Sequence, residues 1–274
     1  YRYNEKDQLI SVTDPANYTT THTYDAVGNK LTETDGNDHT TSYGYDAANR
    51  CNTVTNPLGQ TTTFGYDNVG NRTTVTDTLD HVTTTTYDEL NRPVTMTDPL
   101  SHVTSTTYDA LGNAMTITDA NGHATTYTYT ALNQLETVTD ARDGVVTYGY
   151  DGNGNRISME DANHHTTTYT YDELDRLSSV TDPLNHTTSY TYDANGSRRT
   201  TLDANGHTTT FTYDELNRLT DIAYGDGTGV TYTYDAAGNR LTMVDDLGTT
   251  TYTYDDLYRP LSITSLIGTT SNTY

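Results

Sequence analysis

A tyrosine returns every 21 residues along this chain, and any fold proposed for it must repeat at that interval. Tyr3, Tyr24, Tyr45, Tyr66, Tyr87, Tyr108, Tyr129, Tyr150, Tyr171, Tyr192, Tyr213 and Tyr234 are spaced at 21, and Tyr254 and Tyr274 follow at intervals of 20. Aspartate comes next after eleven of them, with Asn4 and Thr130 as substitutes. A period held in phase over thirteen units is the signature of a repeat architecture, in which each unit is one supersecondary element stabilised by its neighbours. The expectation is a single array over residues 1–274, running from Tyr3 to Tyr274.

Each unit follows one plan. Four positions past the tyrosine stands Gly28, Gly70, Gly112, Gly154, Gly196 or Gly238, alternating with Asn49, Asn91, Asn133, Asp175 or Asn217. These residue types tolerate a left-handed backbone, so a tight Asx-led turn is predicted there. Tyr258 breaks the rule in the last unit, where a distorted turn is expected. A short strand follows, as in Val94-Thr-Met96, Met115-Thr-Ile117 and Leu241-Thr-Met243. A second turn then opens on Asp, as at Asp98-Pro-Leu-Ser and Asp119-Ala-Asn-Gly, with type I chemistry. The run His207–Tyr213 closes the unit with strict alternation, a strand signal.

The fold class is therefore all-β, with one 21-residue β-hairpin per unit joined into a continuous antiparallel meander. Period-2 geometry sets Tyr169 and Tyr171 on one face with Val180, and Thr168 and Thr170 on the other. The predicted structural ladder is Tyr24, Tyr45, Tyr66, Tyr87, Tyr108, Tyr150, Tyr171, Tyr192, Tyr213, Tyr234 and Tyr254. About 26 strands would extend on the order of 120 Å, and open sheets of more than about ten strands curl. A spiral β-tube or shell wall is expected. The two turn types alternate in step with the second turns, since Pro15, Pro57, Pro99 and Pro183 all fall in Asn/Asp-type units. The real repeat is thus about 42 residues, two non-equivalent hairpins, arising either from duplication of a 42-residue block or from two different environments for alternate hairpins.

Composition excludes several functions. A net charge of −23 repels nucleic acid and anionic membrane surfaces. No apolar run reaches transmembrane length. With 32% apolar residues and no Trp, any core must be thin. Cys51 is alone, so no internal disulfide forms, and it has no distinctive His–Asp setting that would make it a nucleophile. Opening on Tyr1 and ending in phase, the chain reads as a processed product or a segment of something longer.

The unit Tyr-Asp-x-x-Gly-Asn-Arg-Leu-Thr, continuing to Gly-His-Thr-Thr-x-Tyr-x-Tyr-Asp, resembles the YD repeat of the RHS family. Residues 234–254 (YDAAGNRLTMVDDLGTTTYTY) and 192–213 carry it closely, and the resemblance covers essentially the whole chain. That family includes bacterial RHS and wall-associated polymorphic toxins, shell components of insecticidal toxin complexes, and teneurins. The resemblance implies hairpins spiralling into a hollow shell that can enclose a toxin polypeptide, and a secreted or cell-surface scaffold. The family's conserved core segment, N-terminal delivery module and C-terminal toxin domain are not recognisable here, so a wall segment or open tube is implied.

No catalytic site is expected, because every candidate constellation repeats with the fold. His39, His81, His102, His123, His165, His186 and His207 share one repeat position and read as turn-exit residues, with metal binding or joint titration as the alternative. The aspartates at 98, 119, 140, 161, 182 and 203 open turns; Ca²⁺ is the one cofactor they suggest, without any known loop spacing. Arg50, Arg72, Arg92, Arg156, Arg176, Arg218 and Arg240 are expected to pair with aspartates of adjacent hairpins. The leading expectation is a non-enzymatic shell wall whose partners are itself or an enclosed toxin. A self-assembling filament or adhesin is the alternative, and a glycan-binding repeat the third. The sequons at Asn17, Asn71, Asn185 and Asn195 are expected by chance in so Asn- and Thr-rich a chain, whereas the exposed threonine face could carry O-linked sugars on a secreted protein.

Overall fold

In the computed structural model, residues 1–272 are described; Tyr274, the last expected rung, lies outside the described residues. They hold 27 strands and no helix. The chain forms two compact units, residues 1–128 with 139–143, and residues 129–138 with 144–272. Within each unit the strands run as an antiparallel meander, each pairing with its neighbours in sequence.

One hairpin shows the plan. Thr166–Tyr171 pairs with Leu177–Thr181, placing Tyr169 opposite Val180 and Thr170 opposite Ser179. Between them the backbone N–H of Asp175 donates to Asp172 O at 3.0 Å, and Asp172 N–H donates to Arg176 O at 2.9 Å. This is a type I turn followed by a left-handed residue, the usual three-residue hairpin loop. The second turn repeats that geometry: Asn185 N–H donates to Asp182 O and Asp182 N–H to His186 O, both at 3.0 Å. Thr187–Tyr192 then pairs back on Leu177–Thr181, with Val180 opposite Thr188.

Strict alternation predicts an unbroken ladder, and here the structure differs. Tyr171 lies opposite Leu177 while Thr170 lies opposite Ser179, so Ser178 is an extra residue in a β-bulge. The same shift occurs at Thr23/Tyr24, Gly65/Tyr66, Thr191/Tyr192 and Thr233/Tyr234. Val94 occupies the bulge position in its own hairpin, so Val94-Thr-Met96 is not a regular alternating run.

The turn at Tyr258 is also regular rather than distorted. Tyr258 N–H donates to Asp255 O at 2.9 Å and Arg259 N–H to Asp255 Oδ1 at 2.9 Å, as in the other turns. The cost falls on Tyr258 itself, which sits at φ 62. A bulky side chain in the left-handed region costs roughly 1–2 kcal/mol. Tyr258 is 63% exposed and gives up little contact when removed. Tyr258→Gly is therefore expected to stabilise the protein by about 1 kcal/mol, read from the urea midpoint; an unchanged or lower midpoint would refute the strain argument.

The shorter spacing at the end has a simple cause. Asp245 pairs directly with Gly248 and Ser265 with Gly268, so these second turns are two-residue loops. No apolar side chain among the described residues is buried. With one sheet layer and two accessible faces, the hairpins depend on ladder bonds and cross-strand side-chain pairs rather than a packed core.

Candidate interaction surface: the tyrosine face and the turn rows

The turns are built on aspartate. Asp172 Oδ1 accepts the N–H groups of Leu174 and Arg176 at 2.9 and 3.0 Å. The carboxylate thus holds the loop's inward donors while the fourth residue turns left-handed. That residue is at φ 107, 105, 96, 93, 89 and 96 at Gly28, Gly70, Gly112, Gly154, Gly196 and Gly238, and at 60, 61 and 61 at Asn49, Asn91 and Asn217. These bonds hold the carboxyls of Asp46, Asp88, Asp98, Asp119, Asp182 and Asp214 below their ordinary range. At Asp46, Asp88 and Asp214 the leading cause is the backbone N–H of the following arginine, and at Asp98, Asp119 and Asp182 that of the histidine.

The arginines fall into two classes, which corrects the expectation of pairing between hairpins. Arg50, Arg92, Arg176 and Arg218 bind the aspartate of their own turn, as with Arg176 Nε and Asp172 Oδ2 at 2.8 Å. They reach the next turn through a backbone oxygen: Arg176 Nη1 donates to Asp193 O at 3.0 Å and Arg50 Nη1 to Asp67 O at 2.7 Å. Arg72, Arg156 and Arg240 form no ion pair among the described residues and lie over rings instead.

The 42-residue alternation has a bonding basis. From a Gly-type turn the link forward is an amide: Asn155 Nδ2 donates to Asp175 Oδ1 at 2.7 Å, and Asn29 and Asn71 donate to Asn49 and Asn91 at 3.0 and 2.8 Å. From the Asn49, Asn91, Asp175 and Asn217 turns it is the guanidinium bond to backbone; the Gly196 turn uses the Ser197 hydroxyl and the Asn133 turn the Gln134 amide instead. A left-handed Asn or Asp therefore serves where the preceding turn needs an acceptor, which glycine lacks. Neighbouring hairpins are chemically non-equivalent.

The anchor tyrosines do more than stack. Tyr192 Oη donates to Leu177 O at 2.8 Å and Tyr171 Oη to Arg156 O at 2.9 Å. The same bond is made by Tyr24, Tyr45, Tyr66, Tyr87, Tyr108, Tyr150, Tyr234 and Tyr254. Tyr213 holds the equivalent register, opposite Leu219. Between hairpins the paired register stops at Ser179–Ser189, short of Leu177. The phenol closes that gap. On the opposite face threonines pair, as in Thr191–Thr200 at 2.6 Å and Thr170–Ser179 at 2.7 Å.

Residues 100–273 match the family model described as teneurin YD-shell, and residues 3–40, 29–61, 53–81 and 66–103 match that of the RHS repeat. The chain belongs to the teneurin YD-shell family. As a YD-shell chain it is a structural scaffold of the shell-forming type. Its fold is similar to part of a TcdB2-TccC3-TEV crystal structure, with TM-score 0.53 and 15% identity over 95% of this chain and 19% of that one. A structure of a Photorhabdus luminescens Tc holotoxin pore aligns at TM-score 0.39 and 16% identity, over 90% of this chain and 19% of that one. The chain spans about a fifth of the length of these structures. No curated protein sequence matches it.

The other candidate groups of this YD-shell chain have local roles. Each repeat histidine pairs with the aspartate of its own turn, from 2.8 Å at His102–Asp98 to 3.2 Å at His207–Asp203. Among the described residues no three His, Cys, Asp or Glu side chains gather as a metal-binding group. Cys51 Sγ donates to Thr53 O at 3.5 Å. Among the described residues no helix is long and apolar enough to cross a membrane. One cluster escaped the repeat-based reading. His22 stands opposite Glu33 at the aromatic–aliphatic position, and Lys30 Nζ binds Glu33 Oε2 at 2.6 Å. The signal lay in two polar residues, His22 and Glu33, standing where other hairpins carry an aromatic and an aliphatic residue.

Proposed function

We propose that the chain is a non-catalytic wall segment of an extracytoplasmic shell of the toxin-delivery or contact type, with an enclosed polypeptide as partner. The observation that supports this best is a sheet without a buried apolar side chain among its described residues, bonded from turn to turn by alternating amide and guanidinium links. Such a layer is stable as a wall and leaves both faces accessible. The repeat histidines and the aspartates they pair with are engaged in turn formation, which supports a scaffold rather than an enzyme, and the wall needs no cofactor.

Electron microscopy of the protein together with its native sequence neighbours tests this. Hollow closed particles with density inside are the expected result; solid particles or open filaments would overturn it. Exposed turn-tip leucines such as Leu90, Leu111, Leu174 and Leu216, each about 70% exposed, favour a second reading of edge-to-edge assembly into filaments. That reading requires particle length to grow with protein concentration.

A further inference from the structure

Five of the basic residues that pair with no turn aspartate form a comb on the tyrosine face. Lys30, Arg72, Arg156, Arg198 and Arg240 occupy the same position in successive 42-residue repeats, with Ala114 completing the series. The intervening hairpins carry apolar residues there, such as Leu177 and Leu219.

The second unit shows what the comb does. Arg156 lies 4.8 Å from the ring centre of Tyr169, Arg198 lies 4.8 Å from that of Tyr190, and Arg240 lies 4.5 Å from that of Tyr252. None of the three is ion-paired among the described residues, and Arg240 Nε is buried without a hydrogen-bond partner. Arg156 and Arg198 are exposed. The chain has 37 acidic residues against 14 lysines and arginines, so carboxylates are plentiful. Yet they are gathered in the turns, where Asp172, Asp214 and Asp255 neutralise Arg176, Arg218 and Arg259. In this unit the tyrosine face is left as an apolar, aromatic surface carrying uncompensated positive charge, whereas in the first unit Lys30 is neutralised by Glu33.

We infer that this face binds an extended polypeptide that is apolar and carries carboxylates at intervals, each seated on a guanidinium of the comb. Charge complementarity sets the sign of the partner. The rest of the face sets its class. The position two residues before the anchor is Tyr169, Tyr190 and Tyr232 but also Phe211, so it presents ring faces rather than hydroxyls. It stands beside Met159, Val180, Ile222 and Met243 on the paired strands. Rings and aliphatic groups suit peptide side chains better than sugar hydroxyls. Guanidiniums 42 residues apart are four strands apart, roughly 19 Å, which an extended chain covers in about six residues. The inference rests on the wall reading above, because a face turned towards enclosed contents needs a partner of this kind.

The test uses the whole protein and fluorescent, unstructured peptides of about 15 residues. One carries leucine and phenylalanine with glutamate at every sixth position, and its twin carries lysine there. The acidic peptide should bind about tenfold more tightly than the basic one at low salt, and the difference should shrink as salt screens it. Each of Arg156→Gln, Arg198→Gln and Arg240→Gln should weaken acidic-peptide binding by about two- to threefold, and the triple variant should abolish the preference. Circular dichroism checks folding, and the single variants carry the comparison if the triple variant unfolds. Equal binding of the two peptides, single variants unchanged, or tighter binding of polygalacturonate than of the acidic peptide would overturn the inference. Hollow particles with no peptide preference reject this inference alone, whereas open filaments reject the wall reading.

Discussion

Replacing Tyr192 by alanine is expected to cost about 2–3 kcal/mol and replacing it by phenylalanine about 1 kcal/mol. The two substitutions separate the ring from the hydroxyl. Alanine removes a half-buried ring, the Arg176 guanidinium stacked 4.7 Å from its centre, and the bond to Leu177 O. Phenylalanine keeps the first two and leaves only Leu177 O without its donor. The alanine cost lies below that of a fully buried aromatic because Tyr192 keeps one side to solvent. In a repeat array each unit contacts chiefly its neighbours, so the loss is local. Hydrogen exchange should quicken in Leu177–Thr181 and Thr187–Tyr192 before it does elsewhere in the same unit. A phenylalanine variant as stable as the parent would show that the phenol does not close the gap. Equal costs for both variants would show that the ring contributes nothing.

Acid should unfold the protein, even though it first neutralises a large negative charge. Turn aspartates such as Asp214 and Asp182 have carboxyl groups held below the ordinary value of 3.8, by the backbone N–H of Arg218 at Asp214 and that of His186 at Asp182. At both positions the donors are backbone groups of the turn itself, so protonating the carboxyl weakens the loop that the aspartate organises. A carboxyl whose pKa is lower folded than unfolded contributes stability that is fully present above the unfolded value. That contribution is lost as the pH falls through the folded value. The melting temperature should therefore hold steady down to about pH 5 and fall steeply below about pH 4. Charge repulsion gives no lasting relief. The chain passes from −23 through neutrality near pH 4.3 and reaches +23 when every carboxyl is protonated, from 14 lysines and arginines and nine histidines. A melting temperature that rises as the pH is lowered from 5 to 3 would show that repulsion, not turn bonding, governs stability.

Much of this fold was legible in the spacing of a few residue types. The left-handed positions follow from Gly154, Asn217 and their equivalents, because few residues tolerate that backbone. The hairpin meander follows from alternation between two turns. The bulge was legible too, though only from arithmetic on the period. Two three-residue loops, each closing an odd number of residues, give an even repeat length if the tyrosines are to keep one face. A repeat of 21 is odd, so one extra residue must be inserted in each hairpin, and Ser178 is that residue in its unit. Where a second turn shortens to two residues at Asp245–Gly248, the spacing becomes 20 and the faces are still kept.

The partners of the charged side chains were not legible in the same way. Arg176 and Arg156 are both arginines a few residues past a turn aspartate in sequence, yet the first pairs with Asp172 and the second lies over Tyr169. A one-residue step past the turn decides between them, since it moves the side chain from the turn edge to the tyrosine face. The sequence alone determined the period, the turns and the two faces, because these depend on backbone preferences within about 20 residues. Only the tertiary structure decided that the anchor phenol closes a gap between hairpins and that part of the basic charge stays uncompensated on one face. Both depend on distances between different strands, as in the Tyr192–Leu177 bond and the Arg156–Tyr169 contact, and local preference carries no information about those.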